Sequence, residues 1–332
     1  MERMELPTGG PPAGVLLEMY RRMVAIRRFD ETTVELRVGG KVFGTVHPYI
    51  GEEAVAVGVC FALELADQVV STHRGHGHAI AKGASIERMM AELFGRRDGY
   101  CKGKGGSMHL ADYSIGMLGA NGIVAAGVPI AVGAALGNRL RQSRQVAIAF
   151  FGDGASGQGV FYESLNIAAL WQLPVIFVCE NNHYSSDNRI EEMLAAEDIA
   201  SIATAFGIRA VKVDGNDVVS VHENARHAIA EARSGAGPRL LECRTYRWTI
   251  HSLRHLLTPD PRPREELVAA READPIRRLE DRLRGEGIAS ENDLQRIREL
   301  VDEDIEAAVR FAEASPLPDP REALEDLFPV VT

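Results

Sequence analysis

Cysteine is scarce: the 332 residues hold four, Cys60, Cys101, Cys179 and Cys243. They are too scattered for a zinc knuckle or a redox pair, and too few for a disulfide framework in a chain of this length. They read as reduced packing residues. A run of about 20 uncharged apolar residues is lacking, and the start, MERMELPTGGPPAG, lacks the basic-then-apolar order of an export signal. The expectation is a soluble, cytoplasmic protein with no membrane partner. Basic residues are in the minority, 37 against 47 acidic, for a net charge of −10. That balance argues against nucleic acid, which calls for a concentrated basic face. There is no internal repeat. Apolar residues at 45% and charged residues at 25% are ordinary for a folded chain and exclude disorder for its bulk. Length alone allows one α/β domain or two.

The Gly- and Pro-rich residues 1–14 read as a loose arm. Helical spacing of Leu16, Met19, Met23 and Ile26 predicts an amphipathic helix from Val15 to about Arg37, and Val55, Val59 and Leu63 predict a second over Glu52–Ala66. DQVVST reads as a short buried strand. Residues 95–127 are crowded with glycine, which favours tight loops whose backbone approaches a ligand closely. Then VAIAFF (146–151), a helix over Val160–Trp171 and PVIFVC (174–179) form a βαβ pattern, repeated by RAVKV, the turn and cap DGND, a helix over Val218–Arg233 and the strand LLECRTYRW. Asn216 and Asp217 read as helix capping. Apolar runs alternating with amphipathic helices predict an α/β fold, a doubly wound parallel sheet covered on both faces. From Glu265 onward the chain is charged and helical, with proline breaks at Pro316, Pro318 and Pro320. The expected division is an arm over 1–14, an α/β domain over 15–264 and a helical extension of the same domain over 265–332.

Gly152-Asp153-Gly154 is by itself an ordinary turn. Its place is not ordinary: it follows one predicted strand, Asn181-Asn182 follows the next, and 26 residues (155–180) lie between them. That length holds one loop, one helix and one strand. A right-handed crossover brings both ends to the sheet edge where open α/β folds bind ligands. Asp153 offers a carboxylate, Asn182 an amide oxygen and the backbone beyond it further carbonyls. This sparse, hard oxygen set suits magnesium, which keeps water and phosphate oxygens in its other positions. The helix after GDGASGQG is expected to aim its N-terminal amides at the same place. The pattern therefore reads as a site for a magnesium-bound diphosphate.

GDG, 26 residues and NN together resemble the thiamine diphosphate signature. The surrounding segments resemble the alpha subunits of thiamine-dependent 2-oxo acid and acetoin dehydrogenases: HPYIGEEAVAVGVC (47–60), STHRGHGHAIAKG (71–83), MAELFGRRDGYCKGKGGSMHLAD (90–112), GANGIVAAGVP (119–129), LWQLPVIFVCENNHY (170–184) and DPIRRLEDRL (274–283). The resemblance implies the thiamine diphosphate-binding fold. It implies Asp153, Asn182 and the Tyr184 carbonyl as magnesium ligands, and Arg74 as a diphosphate donor fork. His73 stands where many relatives carry Tyr and can still donate a hydrogen bond. Gly122 and Val124 match backbone positions that hold the aminopyrimidine ring; Gly152, Gly154 and Ala155 match the small residues beside the diphosphate. His76 and His251 align with histidines assigned to proton handling or to stabilising a carbanion-like intermediate. In this family a glutamate on a separate beta subunit completes the site. The resemblance thus implies an α2β2 heterotetramer and a chain that is inactive alone.

Two departures fall at the expected substrate pocket of Thr45, His47 and Ser252. Thr45 replaces an aromatic, removing apolar volume and adding a hydroxyl. In TYRWTIHSLRHLL, Thr249 and Ile250 replace the usual His or Arg and Gly, and Arg254 and His255 are gained where relatives have an acidic segment. Three functions follow as expectations. The first is a dehydrogenase component that cleaves a 2-oxo acid or acetoin, a small-molecule substrate, and passes the acyl unit to a lipoyl-bearing acyltransferase. STHRGHGH and GEEAVAVG are most similar to the acetoin branch. The second is a transketolase-like transfer of a hydroxylated two-carbon unit from a ketose phosphate to a thiol on an acyl carrier protein, favoured by Thr45 and the basic loop. The third, a non-catalytic scaffold, has no use for Asp153, Asn182, Arg74, His76 and His251.

Overall fold

The computed structural model describes residues 10–255 and 259–326. Residues 1–9 of the expected arm, part of the 249–257 loop and the last six residues lie outside them. In chain order the α-helices are α1 (Ala13–Val38), α2 (Glu53–Cys60), α3 (His76–Lys82), α4 (Ile86–Leu93), α5 (Gly127–Leu140), α6 (Gly159–Leu170), α7 (Ile190–Met193), α8 (Ile199–Ala205), α9 (Val218–Arg233), α10 (Arg264–Glu272), α11 (Pro275–Gly285) and α12 (Glu291–Ala314). The strands are β1 (Gln68–Val70), β2 (Met117–Gly119), β3 (Ala147–Gly152), β4 (Val175–Asn181), β5 (Tyr184–Ser185), β6 (Asn188–Arg189), β7 (Arg209–Asp214) and β8 (Arg239–Arg244). Among the described residues no helix is long and apolar enough to cross a membrane.

Six strands form one sheet in the order β2-β1-β3-β4-β8-β7, every pair parallel. Its β3 run has no polar break because both faces are covered. Ile148 and Phe150 enter a core shared with α1 to α4, α9, α11 and α12, while Ala147, Ala149 and Phe151 enter a second core under α5, α6 and α8. The second predicted helix is shorter than expected, ending at Cys60. The first begins at Ala13, inside the expected arm. The strand expected through Trp248 stops at Arg244, and three-residue β2 lies unannounced in the glycine-rich stretch. Asp217 caps α9 by accepting from the Val219 and Ser220 amides, worth about 1 kcal/mol. Asn216 instead accepts from the Thr245 hydroxyl at 2.9 Å. Leu279, Leu294, Val301 and Ile305 of the C-terminal helices pack in the same core as Met19 and Met23.

Register positions the site. Gly152 at the end of β3 lies opposite Glu180 of β4, and Asn181 lies opposite Arg244 of β8. The chain that leaves β8 turns back over segment 46–51: the Trp248 amide donates to Ile50 O at 3.0 Å and the Leu253 amide to Val46 O at 2.9 Å. Gly51 makes that approach possible, since its φ is +103° and a Cβ there would collide with Tyr246 O and the Trp248 ring.

Candidate active site

A cavity of about 230 Å³ opens at the carboxyl ends of β1, β3 and β4. Among its lining residues are His47, His73, Arg74, Gly122, Val124, Gly152, Asp153, Gly154, Ala155, Asn182, Tyr184 and His251. Three residues expected at the site do not line it: Thr45, His76 and Ser252.

The oxygen donors come from consecutive strand ends. Asp153 is buried; Oδ1 accepts from the Gly154 amide at 2.8 Å, and Oδ2 has no hydrogen-bond partner. Burial pushes its carboxyl up to about 7, against donors at Gly154 and His183 that pull it down. An orphaned buried carboxylate oxygen is what a resident cation would satisfy. Asn182 accepts from the Tyr184 amide at 3.3 Å and donates through Nδ2 to Glu52 Oε1 at 3.0 Å. Gly154 lets the neighbouring hairpin pack close, because a Cβ there would strike the Ser185 side chain. The expected helix terminus is further away: the 3-10 turn Asp153–Gly157 intervenes, and the first turn of α6 does not line the cavity.

Two buried arginines face this oxygen set. Arg74 donates to Pro48 O at 2.5 Å and to His251 O at 3.2 Å, and its Nε lies 3.6 Å from Glu52 Oε2. Burial lowers its pKa while Glu52 opposes that fall. Arg247 was not singled out by the sequence reading, which placed it inside a strand. Because β8 ends at Arg244, Arg247 instead lies on the turn beside the cavity. It donates to Ser186 O at 2.8 Å and Thr249 O at 3.2 Å, and is pushed down to about 9 by burial and then by Arg74 and Arg262. Glu52 was likewise missed; burial, and then Glu180, raise its carboxyl to about 7 against Arg74.

Three imidazoles stand together on the cavity wall. His47 and His73 have ring centroids 4.5 Å apart, His47 and His251 5.0 Å, and His73 and His251 5.3 Å. Burial, and then Arg74, depress His47 to about 2 and His73 to about 3, so both are neutral at pH 7. His76 lies behind the cavity and does not line it. It is fully buried, with Nδ1 2.6 Å from Asp30 Oδ1, Nε2 2.9 Å from Ser107 Oγ and its ring edge-on to Phe29. Asp30 in turn accepts from the Tyr49 amide, so His76 positions the 46–51 segment from behind. Two of the three residues expected at the substrate pocket lie outside the cavity lining. Thr45 is half-buried outside the lining, and buried Ser252 spends its hydroxyl on the Arg254 amide at 3.2 Å, capping the turn Leu253–His255. His78, not anticipated, joins two lining residues: Nδ1 is 2.7 Å from Ser71 Oγ and Nε2 2.8 Å from Glu180 Oε1. Exposed His109, also missed, stands beside Gly122.

A parallel sheet that sets a buried carboxylate, an amide oxygen and two arginines around one cavity at its carboxyl edge defines an α/β protein of the class that binds an anionic cofactor there. The chain belongs to the dehydrogenase E1 component family, whose pattern matches residues 21–321. It is similar to the alpha subunit of acetoin:2,6-dichlorophenolindophenol oxidoreductase from Bacillus subtilis, 47% identical over 312 residues that cover 94% of this chain and 93% of the relative. The Cupriavidus necator protein of the same name is 45% identical, covering 94% of each chain. The pyruvate dehydrogenase E1 component subunit alpha of Rhizobium meliloti is 42% identical, covering 94% of this chain and 89% of its own. Membership implies thiamine diphosphate as cofactor and activity as one component of an enzyme complex.

Proposed function

We propose that this chain is the alpha subunit of a thiamine diphosphate-dependent dehydrogenase that cleaves acetoin or a 2-oxo acid and transfers the acyl unit to a lipoyl carrier. The observation that carries the proposal is the Asp153–Asn182 pair on adjacent strand ends, with Asp153 Oδ2 buried and unpartnered in the cavity. Acetoin ranks first as donor because the acetoin relatives, at 47% and 45%, are more similar than the pyruvate relative at 42%.

Asp153, Asn182 and the Tyr184 carbonyl would hold magnesium, and Arg74 and Arg247 would meet the diphosphate, exchanging backbone carbonyls for phosphate oxygens. Glu52 holds the Asn182 amide with its oxygen turned away from the carboxylate. Ile123, Val124 and Phe150 supply apolar wall that excludes water, and neutral His47 and His73 serve as hydrogen-bonding groups without adding charge. Thiamine diphosphate, when bound, supplies the electron sink for cleaving the bond beside a carbonyl. A beta subunit would add the missing carboxylate in an α2β2 assembly in the cytoplasm. The ketose-phosphate alternative loses its first support, since Thr45 lies outside the cavity lining.

The test is a reconstituted alpha and beta pair with thiamine diphosphate and magnesium, screened against acetoin, pyruvate, branched 2-oxo acids and xylulose 5-phosphate. Turnover of acetoin or a 2-oxo acid with lipoyl acceptor is the expected result. Turnover of the ketose phosphate alone moves the assignment to the alternative. Absence of saturable cofactor binding, or normal turnover by the alpha chain alone, overturns the proposal.

A further inference from the structure

The glycine-rich stretch that follows α4 turns its backbone toward a side chain of the chain itself. Glu92, in the last turn of α4, is buried. Its Oε2 accepts from the Cys101 amide at 2.8 Å and the Gly103 amide at 2.9 Å, and its Oε1 from the Gly105 amide at 2.8 Å and the Gly106 amide at 2.9 Å. We propose that Glu92 is a positioning residue of the active site: its carboxylate gathers the loop 99–106 and so sets Ser107, Met108 and His109, which follow that loop, against the cavity.

Backbone N–H groups that converge on one point form a nest, which is stable around a negative charge. Glu92 supplies that charge from within. Gly103 has a φ of +74°, and a Cβ there would collide with the Gly95 carbonyl. A Cβ on Gly99 would strike Glu92 Oε2, so the loop closes on the carboxylate only with glycine at that position. The outer ties of the loop are weaker. Lys102 and Lys104 reach Asp326 at 2.8 and 2.9 Å, but these pairs are exposed and screened by water, whereas the four amide bonds to Glu92 are charge-assisted and sheltered.

The loop hands its position on to the cavity through short, stiff links. The peptide unit between Gly105 and Gly106 gives its N–H to Glu92, and its carbonyl oxygen lies 3.0 Å from His109 Nδ1. That unit is planar, so the His109 ring is fixed through one rigid group to the carboxylate. Buried Ser107 places Oγ 2.9 Å from His76 Nε2, and Met108 lines the cavity. A Cβ on Gly122, itself a lining residue, would stand 3.6 Å from His109 Nε2 and 3.8 Å from Met108 Cε. A displaced loop therefore moves the cavity wall at Met108 and Gly122 while Glu92 stays outside the lining. The effect on thiamine diphosphate rests on the cofactor reading above; the effect on the wall does not.

The experiment uses the full chain and Glu92→Gln, an isostere whose NH2 would face two of the four N–H donors. Glu87→Gln, on the exposed side of α4, is the control. In the folded, cofactor-free Glu92→Gln chain the amides of Cys101, Gly103, Gly105 and Gly106 should exchange with deuterium about tenfold faster or more, while those of Ile148 and Val178 in the sheet keep their protection. The Met108 methyl resonance, assigned with Met108→Leu, should shift in Glu92→Gln and stay in place in Glu87→Gln. In the reconstituted alpha and beta pair with magnesium, affinity for thiamine diphosphate should weaken about tenfold. Unchanged exchange at the four amides, an unmoved Met108 resonance, or equal cofactor affinity in parent and variant overturns the proposal; so does protection lost across the whole sheet, the mark of a general stability residue. If Glu92→Gln does not fold, Glu92→Asp, which keeps the charge but draws it back by a methylene, is read by the same criteria. A parent that binds no cofactor overturns the cofactor reading alone, and the exchange and methyl measurements still decide this one.

Discussion

Asn182 Nδ2 donates to Glu52 Oε1 at 3.0 Å, and that bond decides which way the amide of a proposed metal ligand points. With its nitrogen committed to Glu52, Asn182 presents its oxygen on the Tyr184 side, where the backbone amide meets it at 3.3 Å. Glu52 also lies against Arg74 in a site where each is almost wholly buried.

Glu52→Ala therefore leaves a buried guanidinium and a buried amide short of their partner. The expected loss is about 3 kcal/mol of stability or more, read in urea unfolding. Glu52→Gln keeps an acceptor for Asn182 and should lose clearly less. Equal losses in the two variants would show that the pairing is not what matters.

Asp153 gives a pH signature in the metal-free chain. Its folded pKa of about 7 lies above the ordinary 3.8, so the folded state holds the proton more tightly and stability falls as pH rises from about 4 to 7. Asp153→Asn removes that penalty. The metal-free variant should be more stable than the parent at pH 8, by roughly 2–4 kcal/mol, with the gap closing toward pH 5. The same variant should lose magnesium-dependent binding of thiamine diphosphate. Thermal melts across pH, and a titration, check the two halves separately.

His47 and His73 act in the opposite sense. Their folded pKa values of about 2 and 3 lie below the ordinary 6.5, so the unfolded chain gains protons first as pH falls through 6.5, and the folded state loses stability there. Their imidazole resonances should stay flat from pH 8 to 5. His73→Gln should soften the acid destabilisation measured by unfolding at pH 7 and pH 5.

Gly154→Ala should push the Tyr184–Arg189 hairpin away from the cavity, because its new methyl collides with the Ser185 side chain. Magnesium-dependent cofactor affinity should fall. Ser185→Gly in the same chain should recover part of it, a rescue that a general loss of stability would not give.

Local pattern reached the sheet because burial on both faces leaves an uninterrupted apolar run such as VAIAFF, and it reached Asp153 and Asn182 because strand ends are set by those runs. It did not reach Arg247, whose place depends on β8 stopping at Arg244 and the chain folding over Gly51. Nor could it sort the two histidines of α3: His76 is held by Asp30 of α1 and Ser107, and His78 by Ser71 and Glu180. Those partners lie in other elements, and only the packed structure shows that both imidazoles are buried behind the cavity lining. Short β2 escaped because three residues in a glycine-rich stretch carry no periodicity.

The hydrogen bonds from Trp248 to Ile50 and from Leu253 to Val46 close the cavity with a segment that follows the last strand of the sheet. They join segments about 200 residues apart in the chain, a long loop to close. GDG and NN are placed by the sheet, whereas Arg247 and His251 are placed by the segment that returns after its last strand. A chain cut after β8 therefore keeps both strand-end motifs in its sequence and lacks the two residues that finish the cavity wall.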